Sequence, residues 1–343
     1  MGDIKKIGVL TSGGDASGMN PAIRSVVRTA IANGLEVVGI REGYQGLMYN
    51  NVYQMHAGSV GGIINHGGTI LFSARSPEFQ TEDGMKKAAD NMKYNGIDAL
   101  VVIGGDGTYK GALDFATHHE EFPVIGIPGT IDNDIFGTDY TIGYDTAVNV
   151  AMDAIDKLRD TATSHGRCFV VEVMGRHAGY IALEVGIASG AEDILIPETT
   201  TDIDKIVENL QAAKKRGKKS SIIVVAEGDE SGGAMEVAKQ IEGKTGFDTR
   251  VTILGHMQRG GSPTSRERLM AARFGYIAVK ALLEGKRNVA VGIWKGEYTY
   301  TPLADAVKKV PKVDPIDLEL CRTLAIWFLG LLFYDKYKFF TWR

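Results

Sequence analysis

The chain has 343 residues, more than the roughly 100–200 residues that one compact core usually holds, so we expect two α/β domains. Its 38 basic and 42 acidic side chains leave a net charge of −4, which argues against a general nucleic-acid binder with a basic face. Contents of 44% hydrophobic and 23% charged residues exclude wholesale disorder. Glycine is unusually frequent, at 43 residues, and predicts many tight loops where the backbone approaches something closely.

Strand and helix signals alternate along the chain. In the first half they predict a strand at 4–10, a helix that begins at Pro21 with Asn20 as its N-cap and ends at Gly34, strands at 35–40, 99–103 and 124–127, and a helix at 147–161. In the second half they predict strands at 169–173, 193–196, 221–226 and 249–254, and helices at 202–216, 234–242 and 265–283. Such βα units predict parallel sheets with helices on both faces, whose ligands bind at the carboxyl ends of the strands.

The cysteines and the start of the chain indicate a reducing compartment. Cys168 and Cys321, the two cysteines of the sequence, have no metal-ligand spacing and form no disulfide framework. The chain begins with a strand-like apolar stretch and without a signal peptide, so we expect a cytoplasmic protein.

The aromatic-rich tail at residues 321–343 departs from this picture. Its apolar run at 324–334 is well short of the roughly 20 residues that span a bilayer. We expect a terminal segment that packs on the body of the protein or on another subunit. An expression or reading-frame artefact and a membrane contact are the alternatives, and the sequence does not decide among them.

The loop at 11–18, TSGGDASG, joins the first strand to a helix N-terminus. Free N–H groups and the helix dipole favour an anion there. The loop matches neither the P-loop motif nor the dinucleotide fingerprint, so a plain structural turn is an equal alternative.

The loop at 104–108, GGDGT, follows the buried strand at 99–103 and precedes a helix. Its three glycines let backbone N–H groups close around a phosphate, which Asp106 would repel. A divalent cation resolves the conflict, because Mg²⁺ favours a carboxylate together with phosphate oxygens. We therefore predict a phosphate and Mg²⁺ site here rather than a mere turn, although such loops occur in several kinds of phosphoryl-transfer enzyme.

The loop at 128–134, PGTIDND, brings two carboxylates and an amide to another strand end. Such a turn can be no more than Asx capping. A kinase, however, needs a carboxylate beside the acceptor hydroxyl, to orient it and to receive its proton. A metal-binding loop and a base-bearing loop on successive strands of one sheet edge would supply that pair.

Basic side chains able to neutralise phosphate are scattered through the second half of the chain. They are Arg167, Arg176, Arg250, His256 and Arg259. Each of them alone is more often a solvated surface residue. His256 and Arg259 lie in another Gly-rich strand-end loop, HMQRGGSP, and suit a sugar phosphate bound by charge-assisted hydrogen bonds.

Taken in order along the chain, six stretches resemble the bacterial ATP-dependent 6-phosphofructokinases (phosphofructokinase type A family). They are LTSGGDASGMN, SARSPEF, VVIGGDGTYKGA, IPGTIDNDIFGTDYTIGYDTA, VEVMGRHAG and TILGHMQRGGSP. The resemblance runs from residue 4 to about 300 without a major gap. Their joint occurrence in this order is far more specific than any single loop. Residues from about 311 onward match no tail of the family.

The resemblance implies two Rossmann-like three-layer domains with mostly parallel sheets and the active site in the cleft between them. Residues 1–142 and 257–307 would form the larger, ATP-binding domain. Residues 143–256 and 308–320 would form the smaller, fructose-6-phosphate-binding domain, and 321–343 the atypical tail. The implied reaction is that of a glycolytic kinase: the γ-phosphoryl group of ATP moves to the 1-hydroxyl of fructose 6-phosphate, giving fructose 1,6-bisphosphate and ADP.

The resemblance also implies the roles of individual residues. Asp132 would be the base, with Thr130, Arg75 and Arg176 as further catalytic residues, and Arg75 would balance charge in the transition state. Asp106 would hold Mg²⁺. The ATP-binding residues would be Gly14, Arg75, Ser76, Gly105, Asp106, Gly107 and Thr108. The substrate-binding residues would be Thr130, Ile131, Asp132, Arg167, Met174, Gly175, Arg176, Glu227, Arg250, His256, Met257, Gln258 and Arg259.

Two glycines indicate which phosphoryl donor is used. The related pyrophosphate-dependent enzymes usually carry Asp where Gly107 stands and Lys where Gly129 stands. An aspartate at 107 would crowd and repel the α-phosphate of a nucleotide, so the sequence predicts ATP as the donor. A pyrophosphate-dependent enzyme is the alternative, as is a kinase directed at tagatose 6-phosphate, because the loops do not reveal the stereochemistry of the acceptor.

The resemblance further implies a homotetramer in which Arg167 and Arg250 reach across an interface and complete a neighbour's substrate site. Activating ADP or GDP and inhibitory phosphoenolpyruvate would bind Arg24, Arg28, Arg159, Gly190, Glu192, Arg216 and Lys218. The like charges of Arg24 and Arg28, one helical turn apart, repel mildly without an anion, although a solvated helix face explains the pair equally well. Ser17 and Ser220 stand where the family often has proline and histidine, so the strength and direction of control stay open.

Two other classes of protein fit the sequence less well. A different kinase with a GGDG loop, such as a NAD or lipid kinase, does not need the HMQRGGSP and MGR segments. A catalytically silent nucleotide sensor on the same fold would not need both Asp106 and Asp132.

Overall fold

The computed structural model describes residues 4–308 and 313–325. The strands are β1 (Lys6–Thr11), β2 (Glu36–Ile40), β3 (Val52–Met55), β4 (Ala99–Gly104), β5 (Val124–Thr130), β6 (Ile142–Gly143), β7 (Cys168–Val173), β8 (Asp193–Leu195), β9 (Ser221–Ala226), β10 (Thr249–Ile253), β11 (Val289–Trp294) and β12 (Glu297–Pro302). The helices are α1 (Met19–Ala32), α2 (Gly43–Met48), α3 (Glu82–Asn95), α4 (Asp106–His118), α5 (Tyr144–His165), α6 (Tyr180–Ser189), α7 (Ile203–Lys215), α8 (Gly233–Thr245), α9 (Ser265–Leu283), α10 (Leu303–Ala306) and α11 (Pro315–Ala325).

The first sheet has the strand order β12-β11-β5-β4-β1-β2-β3, with β6 paired to β5. Its inner pairs are parallel, and β3 and β12 add antiparallel edges. All six residues of β4 are buried, because helices cover both faces of this sheet. Val101 and Ile103 of β4 pack with α1 and α9, whereas Leu100 and Val102 pack with α2, α3 and α4.

The second sheet has the order β10-β7-β9-β8 and parallel pairing. Residues of β7 alternate between two helix layers: Val171 packs on the side of α5 and α6, and Val170 on the side of α7 and α8. The predicted α/β class with mostly parallel sheets and helices on both faces is thereby confirmed.

Helices α1 and α9 cross with their backbones in close approach. Ser25 Oγ of α1 donates a hydrogen bond of 2.5 Å to the carbonyl oxygen of Ala272 in α9. A Cβ at Gly275 would lie 2.7 Å from the carbonyl oxygen of Ala22. Only a residue without a side chain therefore fits at this crossing.

The predicted start of the first helix is wrong. α1 begins at Met19, and Gly18, with φ 111°, takes the N-cap position. Asn20 is buried inside the helix, where its Nδ2 donates to the carbonyl oxygens of His66 and Gly67 and its Oδ1 accepts from the N–H of Ile70. The side chain ties down a distant loop instead of capping its own helix.

Helices α2, α3 and α6, strand β3 and the β11–β12 hairpin were not predicted from the sequence. The hairpin turn consists of Lys295 and Gly296, both with positive φ. It lacks the Asn-Gly or Asp-Gly pair that usually marks such a turn. Helix α5 also starts three residues before the predicted 147, at Tyr144 directly after Gly143 (φ 105°).

Only the first residues of the predicted tail are described, and they belong to helix α11. Residues 326–343 lie outside the described ranges. The expectation that the tail packs on the body or on another subunit falls on these residues. Within those ranges, no helix combines the length and the apolar character that crossing a membrane requires.

Two glycines in helices offer a test of the α1–α9 crossing. We expect Gly275→Ala to lower the free energy of unfolding by about 1–3 kcal/mol, because the added methyl group overlaps the backbone of α1. The same substitution at Gly243 of α8, where a Cβ would meet no atom within 4 Å, should raise it by up to about 1 kcal/mol through helix propensity. Urea denaturation of both variants measures the difference, and equal effects would contradict the described packing.

Candidate active site

A cavity of about 600 Å³ opens where β1, β4 and β5 end. The Gly-rich loops that follow these strands form much of its wall, and the loops after β7 and β10 add Arg176 and Arg259. Of the predicted site residues, the wall contains Gly14, Arg75, Ser76, Gly105, Asp106, Gly107, Thr108, Thr130, Ile131, Asp132, Arg176 and Arg259. Asp106 and Asp132 therefore face one cavity rather than two.

The loops after β1 and β4 are bonded to each other. Thr108 Oγ1 donates to the carbonyl oxygen of Ser12 at 3.0 Å, and the N–H of Ser12 donates to the carbonyl oxygen of Ile103 at 3.0 Å. A Cβ on Gly104 would lie 2.3 Å from Thr108 Oγ1. Glycine at 104 therefore permits the contact that brings both loops to the cavity.

Asp106 is the first residue of α4, and Gly105 is its N-cap. The first turn of a helix carries N–H groups without intrahelical partners, which favour an anion. The side chain of Asp106 is 20% exposed, and its Oδ2 accepts from Lys110 Nζ at 2.8 Å. Gly107 leaves open space, because a Cβ there would meet no atom within 4 Å.

Asp132 is buried, with 7% of the residue exposed. Burial and the nearby Asp134 carboxylate raise the pKa of Asp132 to about 6, against the opposing pull of Arg176 and Arg259. Its N–H donates to Thr130 Oγ1 at 3.2 Å. A carboxylate of this kind is mostly ionised at pH 7, yet basic enough to take a proton.

Arg176 is held in a left-handed backbone conformation, with φ 55°. The carboxylate oxygen Oε1 of Glu227 accepts from the N–H of Arg176 at 2.7 Å and from that of Gly175 at 3.3 Å. A Cβ on Gly175 (φ 151°) would lie 2.3 Å from the carbonyl oxygen of Ala178. Glu227 thus fixes the turn that carries Arg176 to the cavity.

Arg259 reaches across to the first Gly-rich loop. A Cβ on Gly14 would lie 1.9 Å from one terminal nitrogen of its guanidinium group. Within the described ranges, its Nε is buried and has no hydrogen-bond partner. Ser17 Oγ donates to the carbonyl oxygens of Arg259 and Gly261, which positions the loop after β10. A buried donor without a partner suits an anionic ligand.

Other predicted substrate residues lie outside the cavity wall. Gln258 is buried and bridges two segments, since its Oε1 accepts from the N–H of Met174 at 2.8 Å and its Nε2 donates to the carbonyl oxygen of Ala147 at 3.4 Å. His256 and Met257 are exposed. In this chain, Gln258 and Met174 support the loop that carries Arg259.

Arg167 and Arg250 share the carboxylate of Asp248. Arg167 Nε is 2.7 Å from one oxygen, and a terminal nitrogen of Arg250 is 2.5 Å from the other. Both arginines precede or begin strands at the amino end of the second sheet, opposite the end that faces the cavity. A single chain therefore does not bring them to Asp132.

The predicted effector residues form two groups. Arg159 donates to the carbonyl oxygens of Ser189 and Gly190 and lies 3.8 Å from Glu192, which also pairs with Lys218. Arg216 is the exposed C-cap residue of α7. The second group, Arg24 and Arg28, lies on α1, which packs against the first sheet.

Part of the cavity wall was not predicted from the sequence. Tyr44 and Phe79 line the wall and stack on each other, with ring centroids 4.1 Å apart, and Lys110 and Asp114 of α4 also line it. Both aromatic rings come from elements, α2 and the 3₁₀ turn Glu78–Gln80, that the sequence pattern did not indicate. The spacing of Asp106, Lys110 and Asp114 was the signal available, because residues four apart share a helix face.

The donor set fits a magnesium ion held partly by substrate. Within residues 4–308 and 313–325, no group of three or more His, Cys, Asp or Glu side chains could hold a metal by itself. One carboxylate beside a phosphate-binding loop is the usual protein contribution to Mg²⁺ held by substrate phosphates. Asp106 lies in the Gly-rich loop at the start of α4, in the cavity wall.

Comparison with known proteins places the chain among phosphofructokinases. Residues 6–282 match the phosphofructokinase family. An ATP-dependent 6-phosphofructokinase of Shouchella clausii is 54% identical over 323 residues, which are 94% of this chain and 100% of that protein. ATP-dependent 6-phosphofructokinase 1 of Thermus thermophilus is 53% identical, with the same coverage of each chain. The solved phosphofructokinase of Saccharomyces cerevisiae gives a TM-score of 0.83 at 40% identity, over 88% of this chain and 45% of the yeast chain, so this chain spans about half its length.

The raised pKa of Asp132 predicts a cost in stability. Between its unfolded pKa of 3.8 and its folded pKa of about 6, the folded state holds the extra proton, so stability falls as pH rises through this window. We expect Asp132→Asn to raise the free energy of unfolding by up to about 3 kcal/mol at pH 8 and by only about 1 kcal/mol near pH 4.5. Thermal denaturation at both pH values measures this, with the exposed cavity residue Asp114→Asn as control. An equal effect at the two pH values would contradict it.

Proposed function

Because the chain belongs to the phosphofructokinase family, we propose that it is the glycolytic kinase that transfers the γ-phosphoryl group of ATP to the 1-hydroxyl of fructose 6-phosphate. The observation that carries the proposal is that one cavity wall contains Asp106, at a helix N-terminus, the buried Asp132 and three arginine side chains. As a glycolytic enzyme it would act in the cytoplasm.

The donor side of the cavity is the Gly-rich wall after β1 and β4. Backbone N–H groups of these loops and the first turn of α4 would bind the phosphates of ATP, with Arg75 and Ser76 closing the wall. Asp106 would hold Mg²⁺, which would supply positive charge to offset the negative charge of the phosphate groups. Tyr44 and Phe79, which stack on each other and are almost completely buried, would support the donor side of the wall from behind.

The acceptor side is the wall around Asp132. The Asp132 carboxylate accepts the proton of the 1-hydroxyl while the hydroxyl oxygen forms a bond to the γ-phosphorus. The bond from that phosphorus to the β-phosphate oxygen breaks, and ADP leaves. Thr130 Oγ1 accepts from the N–H of Asp132 and so orients the loop. Arg176 and Arg259 stabilise negative charge on the transferred group and on the sugar phosphate.

Two glycines support ATP as the donor. The open space at Gly107 leaves room for the α-phosphate. Gly129 is packed, since a Cβ there would lie 3.1 Å from Ile103 Cγ2 and 3.2 Å from the N of Gly104. A lysine at 129, usual in the pyrophosphate-dependent relatives, would require these neighbours to shift by a few tenths of an ångström.

A homotetramer and effector control complete the proposal. Arg167 and Arg250, remote from Asp132 within one chain, would serve the substrate site of a neighbouring subunit. Arg24 and Arg28 on α1 would join Arg159, Gly190, Glu192, Arg216 and Lys218 across another contact and bind ADP, GDP or phosphoenolpyruvate. The two sheets would belong to the two domains bounded at residues 142, 256 and 307, which the packing of α9 on α1 supports.

Loss of the base is the first test. We expect Asp132→Ser to lower kcat by about 10²–10⁴ or more and to leave the Kd of each substrate within a few fold, because the proton of the 1-hydroxyl then has no acceptor. In the unsubstituted enzyme, kcat/KM should fall tenfold per unit below about pH 6, where Asp132 becomes protonated. An aldolase-coupled assay measures turnover, with Asp153→Asn, an exposed position outside the cavity wall, as control. Unchanged turnover of Asp132→Ser would refute the assignment.

The donor site has its own test. Gly107→Asp is accommodated by the open space, yet its charge should raise the KM for ATP about tenfold or more, because like charges without a counter-ion repel. Gly107→Asn, of the same size but neutral, should raise it much less. Initial rates with ATP and with pyrophosphate give both values, and identical behaviour of the two variants would remove the electrostatic argument.

A further inference from the structure

One face of α4 carries alternating charges along the cavity. Asp106, Lys110 and Asp114 are spaced four residues apart and all line the wall. From the first to the last they cover roughly 12 Å of helix, at 1.5 Å per residue. Gly107 and Gly111 lie beside them, so the adjoining part of the helix has no side chains that project into the cavity. The face fits an extended ligand laid along the helix, with Lys110 at its middle.

The Lys110 ammonium group lies 2.8 Å from Asp106 Oδ2. An exposed ion pair at this spacing contributes little to the stability of a helix. Asp153 and Lys157 of α5 form the same kind of pair, but their side chains are 68% and 72% exposed and lie outside the cavity. Asp106, at 20% exposed, is the more enclosed carboxylate, and its charge bears directly on an anion in the cavity.

We propose that Lys110 is the internal counter-cation of Asp106, which it neutralises until a metal–nucleotide complex enters, and that it supports the binding of metal-free nucleotide. This inference rests on the proposed function. Without a cation, the carboxylate at the phosphate-binding loop repels an entering polyphosphate. The ammonium group removes that repulsion, and its flexible stem lets it turn from the carboxylate to a phosphate oxygen.

The proposal predicts an asymmetric effect of removing the charge. In Lys110→Met, metal-free nucleotide meets an unneutralised Asp106 and loses the ammonium group as well. With Mg²⁺ present, the metal neutralises Asp106 in any case. The variant then loses a phosphate contact, but Mg²⁺ no longer competes with the ammonium group for the carboxylate, and the two effects offset each other. The variant should therefore depend more strongly on the metal for nucleotide binding.

Calorimetric titration with the non-hydrolysable analogue AMP-PNP tests this, once with EDTA and once with excess Mg²⁺. For Lys110→Met, we expect the metal-free Kd to rise about tenfold, the scale of one charge-assisted contact, and the Kd with Mg²⁺ to stay within twofold. Lys110→Arg, which keeps the charge, should restore most of the metal-free affinity. Lys157→Met, the matched pair on α5, should change neither value.

Two results would overturn the proposal. Equal weakening with and without Mg²⁺ would make Lys110 an ordinary phosphate contact, and no change in either condition would make the pair a solvated helix contact. Failure of the unsubstituted enzyme to phosphorylate fructose 6-phosphate would instead overturn the proposed function. The two failures are therefore distinguishable, and circular dichroism of each variant confirms that it is folded.

Discussion

The hydrogen bond from Thr108 Oγ1 to the carbonyl oxygen of Ser12 joins the loops that follow β1 and β4. The end of β5 packs against the same loop, since Gly129 lies against the backbone of Gly104. Three strand ends thus share one wall, and the separation of Asp106 and Asp132 is set by strand pairing rather than by flexible side chains. Carboxylates on rigid elements keep their geometry as the ligands around them change.

Two residues that we propose for catalysis, Asp132 and Arg176, are also held by the fold at a cost in free energy. Asp132 is a carboxylate taken out of water, and Arg176 has a backbone conformation that non-glycine residues rarely adopt. Glu227 stabilises the backbone turn at Arg176 by accepting hydrogen bonds from two of its N–H groups. The guanidinium groups of Arg176 and Arg259 limit the cost of burying the Asp132 carboxylate. Such local conflicts are expected where function rather than stability selects the residue.

The sequence predicted the strands whose patterns are continuous and apolar, and β9 and α9 were predicted to the residue. It also indicated the Gly-rich loops after β1, β4 and β5, which the structure brings to one cavity. It failed at Asn20, where a capping residue is used for a tertiary bond, and at the β11–β12 hairpin, whose turn has an unusual sequence. The roles of Gln258 and Glu227 as supports follow from three-dimensional contacts that no local pattern records.

The packing of α1 on α9 has a consequence for synthesis on the ribosome. The two helices are joined by contacts between residues as far apart as Ser25 and Ala272, and together they cover one face of the first sheet. While translation proceeds, β1, β4 and β5 emerge long before the helix that completes their shelter. The nascent polypeptide must therefore carry an uncovered apolar layer until residue 283 has left the exit tunnel, which makes this interval the natural point for chaperone engagement.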